Sequence, residues 1–102
     1  MSGDCVEILL DGRSWRTPLD FYQAILPQIG APEWHGTNLN ALDDSLVFGG
    51  MNSVRPPFRF RLSNIRDLPA DIREELKGLV EIVERGRDEY GLDIDIEVEG
   101  GI

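Results

Sequence analysis

Three short stretches of this chain alternate apolar with polar residues, and too much sequence separates them for hairpins to join them. Val6, Ile8 and Leu10 alternate with Glu7 and Asp11, Phe58, Phe60 and Leu62 with Arg59 and Arg61, and Ile94, Ile96 and Val98 with Asp93, Asp95, Glu97 and Glu99. A repeat of two gives a strand with one dry face and one wet face. Between these stretches apolar residues recur at helical spacing, and strands joined through a helix pair in parallel by right-handed crossovers. The expected architecture is therefore α/β, a small three-stranded parallel sheet with three main helices in the order β-α-α-β-α-β, covered mainly on one side. On the wet face Arg59, Arg61, Asp95 and Glu97 can pair across neighbouring strands. With 102 residues and 41% hydrophobic content, a second folding unit would be too small to bury its own interior. Residues 1–102 are expected to form a single domain.

Local signals place the helices. Asp11-Gly12 closes the first strand as a turn. In Thr17-Pro18-Leu19-Asp20, Thr17 caps a helix, Pro18 fills its first position and the Asp20 carboxylate can reach back. The apolar face of this helix reads as Leu19, Tyr22, Ile25 and Leu26, and Pro27 should end or distort it before Gly30. Trp15, between turn and cap, is assigned a structural role. A second helix should begin near Thr37 or Asn38, both good caps, and stop before Gly49-Gly50. Leu39, Leu42 and Leu46 share one face of it, which turns Thr37, Asn40 and Asp44 toward solvent. Residues 49–57 read as a loop. The third helix should open near Asp67, with Pro69 in its first turn, and carry the stripe Leu68, Ile72, Leu76, Leu79, Val80 and Val83. Gly91 is its expected terminator.

Nineteen acids against ten bases give a net charge of −9, which disfavours nucleic acid and anionic membrane as direct partners, because phosphate contact needs Lys and Arg. No apolar run approaches the roughly 20 residues of a membrane span, and the N-terminus does not read as a secretory signal. A cytoplasmic monomer is expected. The single cysteine, Cys5, cannot form an internal disulfide and reads as a small hydrophobe at the start of a strand.

Catalytic chemistry is hard to assemble from this sequence. A hydrolytic triad would need His35, the only histidine, with Ser45 or Cys5 as nucleophile and Asp43 or Asp44 as orienter. Ser45 and Asp44 fall on different helix faces, and Asp43 and Asp44, about 100° apart, do not converge on one point for acid and base work. No metal-ligand spacing joins His35 to these aspartates, and Gly49-Gly50 lacks the lysine and helix start of a phosphate loop. The reading is of a protein that is not an enzyme, with no catalytic residues, no metal and no cofactor.

Binding is better supported. From Thr17 to Val54 the chain carries Asp20, Glu33, Asp43 and Asp44 and no lysine or arginine. A field of one sign over a compact element steers partners of the opposite sign. Within this stretch Trp34 stands on a loop between Pro32 and Gly36, where an indole can serve as an interface anchor or fold back onto the core. His35 can hydrogen-bond locally in the turn or meet a partner.

The segment PEWHGTNLNALDDSL, residues 32–46, resembles the signature of the barstar family, intracellular inhibitors of small secreted ribonucleases. In that signature a Pro-Glu-aromatic-aromatic-Gly loop leads into a helix reading Asn-Leu-x-Ala-Leu-x-Asp-x-Leu. Pro32, Glu33, Trp34, Gly36, Asn38, Leu39, Ala41, Leu42, Asp44 and Leu46 match it. The resemblance implies a barstar-like fold and an inhibitor that plugs the active site of a basic extracellular-type ribonuclease with an acidic loop and helix, residues 33–48. By the same resemblance Asp44 stands in for the substrate phosphate and Trp34 lies over the active site. The implied partner-binding residues are Trp34, His35, Gly36, Thr37, Asn38, Asn40, Asp43, Asp44 and Phe48. Thr37 stands where the family often has an acid, Asn40 where it often has an aspartate, and Asp43 where a large aromatic can occur. An acid usually found near the end of the third helix has only Glu84, Asp88 and Glu89 as counterparts. These departures keep open a binding or immunity module of the same fold that recognises a different basic protein.

Overall fold

The three alternating stretches form strands β1 (Val6–Asp11), β2 (Phe58–Ser63) and β3 (Ile94–Val98) in a computed structural model that describes residues 6–31, 36–48 and 57–99. They make one parallel sheet in the order β1-β2-β3, with Val6 opposite Phe58, Leu10 opposite Leu62 and Phe58 opposite Ile94. Three α-helices complete it: α1 (Pro18–Gln28), α2 (Leu39–Asp43) and α3 (Ala70–Tyr90). This is the β-α-α-β-α-β order that the periodicity predicts.

The dry face of the sheet, formed by Ile8, Leu10, Phe58, Phe60, Leu62 and Ile94, meets the helices in one core. Val6, at the start of β1, is 41% exposed and does not join it. From α1 come Phe21, Tyr22 and Ile25, and from α3 Ile72, Leu76, Leu79, Ile82 and Val83. Each buried side chain of this size stabilises the fold by about 1.5–3 kcal/mol before the cost of ordering it. On the wet face the Arg61 guanidinium lies 3.4 Å from Glu97 and 4.0 Å from Glu7, so it bridges both neighbouring strands, while Asp95 pairs instead with Arg87 of α3 at 3.1 Å. These pairs are exposed and contribute little to stability.

The start of α1 forms as its residues dictate. The Asp20 carboxylate accepts hydrogen bonds from the backbone N–H groups of Arg16 and Thr17 at 2.7 and 3.0 Å, which completes a capping box with Pro18 in the first turn. These bonds hold the Asp20 carboxyl below its usual value. The apolar face of α1 differs from the expected one, since Leu19 is 48% exposed and Phe21 is fully buried in its place. Phe21 meets Trp15 edge to face, with ring centroids 5.7 Å apart, and lies 4.8 Å from the Tyr22 ring, so the buried face joins it to the turn before the helix. Pro27 lies inside the last turn, and the helix ends one residue beyond it at Gln28, before Gly30 as expected. Below it Gln28 makes a two-way contact with the outer edge of β1, its Oε1 accepting from Leu9 N–H at 3.1 Å and its Nε2 donating to Leu9 C=O at 2.8 Å.

Helix α3 begins at Ala70, with Pro69 as its cap, and not near Asp67. A residue before proline is pushed out of the helical region, so Leu68 cannot belong to the helix. At the other end Gly91 takes the left-handed conformation, φ 66°, and terminates α3 as expected. Tyr22 donates its hydroxyl to Glu75 at 3.1 Å and ties α1 to α3.

Candidate functional site

Asn38 starts the acidic segment. Its backbone is extended and its side-chain oxygen accepts from the Ala41 N–H at 2.8 Å, the N-cap arrangement its residue type favours. Helix α2 runs only to Asp43, and the chain then continues as a π-helical turn from Asp44 to Phe48. A widened turn of this kind costs regular hydrogen bonding and recurs at functional sites. Leu42 is fully buried and Leu46 and Val47 nearly so, while Leu39 is half-buried and packs on the core edge. The close approach of α2 to α3 depends on Gly78, where an added Cβ would stand within 3.0 Å of Leu39 Cδ2 and nearer still to Cδ1.

This buried stripe turns the polar face outward. Thr37, Asn38, Asn40 and Asp44 are exposed, and Gly36 is half-buried. Gly36 leaves the Asn38 cap room, since a Cβ there would come 3.0 Å from Asn38 Nδ2 and 3.2 Å from Ala41 Cβ. Ser45 is buried and donates its hydroxyl to the Leu42 carbonyl at 3.1 Å, which occupies it structurally. The two adjacent aspartates differ. Asp43 turns toward α3 and forms an ion pair with the Arg85 guanidinium, with both side chains partly shielded from solvent. Its hydrogen bond and charge raise the Arg85 pKa further. Asp44 makes no ion pair among the described residues.

Asn40, Asp43 and Arg85 therefore line a shallow groove of about 150 Å3 between α2 and α3, with Glu81 on its rim. The pairing of Asp43 with Arg85 joins helices far apart in sequence, and sequence reasoning had no signal for it beyond opposite charge. Near the end of α3, Glu84, Asp88 and Glu89 are all exposed, and Asp88 is engaged by its neighbour Arg87 at 3.3 Å. Trp34, His35 and Glu33 lie outside the described residues, as does Cys5. Phe48 closes the π-helical turn. Among the described residues no helix is long and apolar enough to cross a membrane.

The family model described as Barstar (barnase inhibitor) matches residues 6–99, nearly the whole chain. No curated protein sequence matches the chain. The chain belongs to the barstar family.

Proposed function

We propose that this barstar-family chain inhibits a small basic ribonuclease by seating the acidic loop and helix, residues 33–48, in the nuclease active site. The observation that carries the reading is Asp44: a carboxylate exposed on a segment anchored from below by Leu42 and Leu46, with no cation of the described chain bound to it. A cleft that binds RNA must present positive charge, and a rigid anion entering it excludes substrate by occupying the same field. Long-range attraction also speeds the encounter, an effect for which the barnase and barstar pair is itself the type case. No bond is made or broken, so the inhibitor needs no catalytic group. Asp44 takes the place of substrate phosphate, and Asn40, Thr37 and Asn38 offer hydrogen bonds beside it. Trp34 and His35 supply the aromatic contact of the loop, and Phe48 is a further partner-binding residue at the end of the segment.

The test titrates barnase with the wild-type chain, Asp44→Ala and Asp20→Ala, reading residual nuclease activity. Wild type and Asp20→Ala should inhibit alike and Asp44→Ala far less. Equal inhibition by all three rejects the role of Asp44.

A second reading is favoured by the Asp43–Arg85 pair, which sets a cation into the acidic face, and by the neutral residues Thr37 and Asn40. A face so modified suits a basic protein whose positive pocket is narrow and flanked by an acceptor for Arg85. Failure of the wild-type chain to inhibit barnase, together with capture of a different basic protein that Asp44→Ala does not bind, selects it.

A further inference from the structure

The loops that follow β1 and β2 enclose a cleft of about 340 Å3 at the carboxyl ends of the two strands, away from the α2 face. Open α/β sheets take their ligands at this end. The two loops are fastened to each other. Asp11 Oδ1 accepts from the Arg13 N–H and from Asn64 Nδ2, each at 2.9 Å. Gly12 lies so close to the second loop that an added Cβ would be 3.0 Å from Leu68 Cδ1 and 3.1 Å from the Asn64 carbonyl oxygen. Asn64 is the one non-glycine residue with positive φ among the described residues, at 54°, a conformation that persists where the surrounding structure enforces it.

The lining is of two kinds. Trp15, Leu68 and Pro69 give an apolar wall, and Arg13 and Arg66 come from opposite loops with Asp67 beside them. Neither arginine forms an ion pair among the described residues, although acids outnumber bases nearly two to one in this chain. The lining side chains carry one net positive charge on a protein of net charge −9. A guanidinium presents paired donors that fit phosphate oxygens, and two of them from facing loops can hold one phosphate between them. The volume exceeds what a free phosphate fills and lies at the small end of ligand sites. Asp67 can accept from a hydroxyl or amine of the ligand body, while the Trp15 wall suits a flat or apolar part.

We propose that this cleft binds a small phosphate ester of about mononucleotide size, at a site separate from the α2 face. The experiment titrates the full isotope-labelled chain with uridine 5′-monophosphate, with uridine and with inorganic phosphate, following amide and indole resonances. The monophosphate should move the Trp15 indole and the amides of Arg13, Asn64 and Arg66, and leave those of Asn40 and Asp44 in place. Uridine and phosphate alone should need at least about tenfold higher concentrations, because each supplies half of the contacts. The double substitution Arg13→Gln/Arg66→Gln should weaken the monophosphate at least about tenfold with the spectrum still dispersed; if the pair disturbs folding, Arg66→Gln alone is read. Absence of shifts at the cleft overturns the proposal. So does an equal response to inorganic phosphate, or an affinity unchanged in a folded arginine variant.

Discussion

Helix α3 and the segment from Leu39 to Phe48 lie against each other and are built on opposite principles. The first runs 21 residues with one continuous buried stripe and a glycine stop. The second changes from α to π geometry after five residues, and its shape depends on what lies beneath it. An isolated helix of this length would not persist in water. Leu42, Leu46, the close fit of Leu39 over Gly78 and the Asp43–Arg85 pair hold it in place. The contrast is between a helix regular over its whole length and a short segment held by the side chains packed beneath it, which on the proposed function displays Asp44.

The most disruptive way to break that contrast is Leu42→Ala. It empties a fully buried site, and a loss of about 2–5 kcal/mol is expected in denaturant unfolding, with binding lost alongside. Asp44→Ala should separate the two properties, costing about 2 kcal/mol or more of affinity, some thirtyfold in Kd, while unfolding changes by no more than about 0.5 kcal/mol. A stability change as large as the affinity change would mean that the carboxylate is structural. Gly78→Val forces Leu39 off α3 and should destabilise by about 1–3 kcal/mol. On the proposed function, inhibition of barnase should weaken as well, although residue 78 lies on the other helix. Arg85→Met removes only a partly exposed ion pair, so about 0.2–1 kcal/mol of stability is expected, shrinking as salt is raised. The same change releases Asp43, so association with a basic nuclease should become faster at low ionic strength.

The smallest expected effect belongs to Asp20→Asn, remote from the display segment. The folded-state Asp20 carboxyl lies below its usual value near 3.8, because the Arg16 and Thr17 N–H groups bond its charged form. Its contribution is therefore complete above that value and disappears as pH falls through the lower, folded-state value. Thermal unfolding of Asp20→Asn should match wild type most closely at the acid end and fall below it as pH rises past about 4, with inhibition unaffected throughout.

What could be read from the residues follows the same division. The strands, their parallel pairing, the Thr17-Pro18-Asp20 helix start and the Gly91 stop were legible because each depends on neighbours in sequence. So was the outward face of Asn40 and Asp44, since the leucine spacing allows no other orientation. The exchange of Leu19 for Phe21 was not legible, because Phe21 packs against Trp15, a residue outside the helix whose position the helical spacing does not give. The π-helical turn at Asp44 and the turning of Asp43 toward Arg85 were hidden for a related reason. The pairing depends on α3, whose residues meet the segment only after the chain has folded, and the turn has no signature in the residues that form it.

Gln28 has a consequence for life at high protein concentration. By holding both polar groups of Leu9, it gives β1 a counterfeit neighbour in the middle of its free edge, where the strand of another molecule would otherwise add. One amide thus occupies the hydrogen-bonding groups at the midpoint of this edge, where an added strand would have to pair.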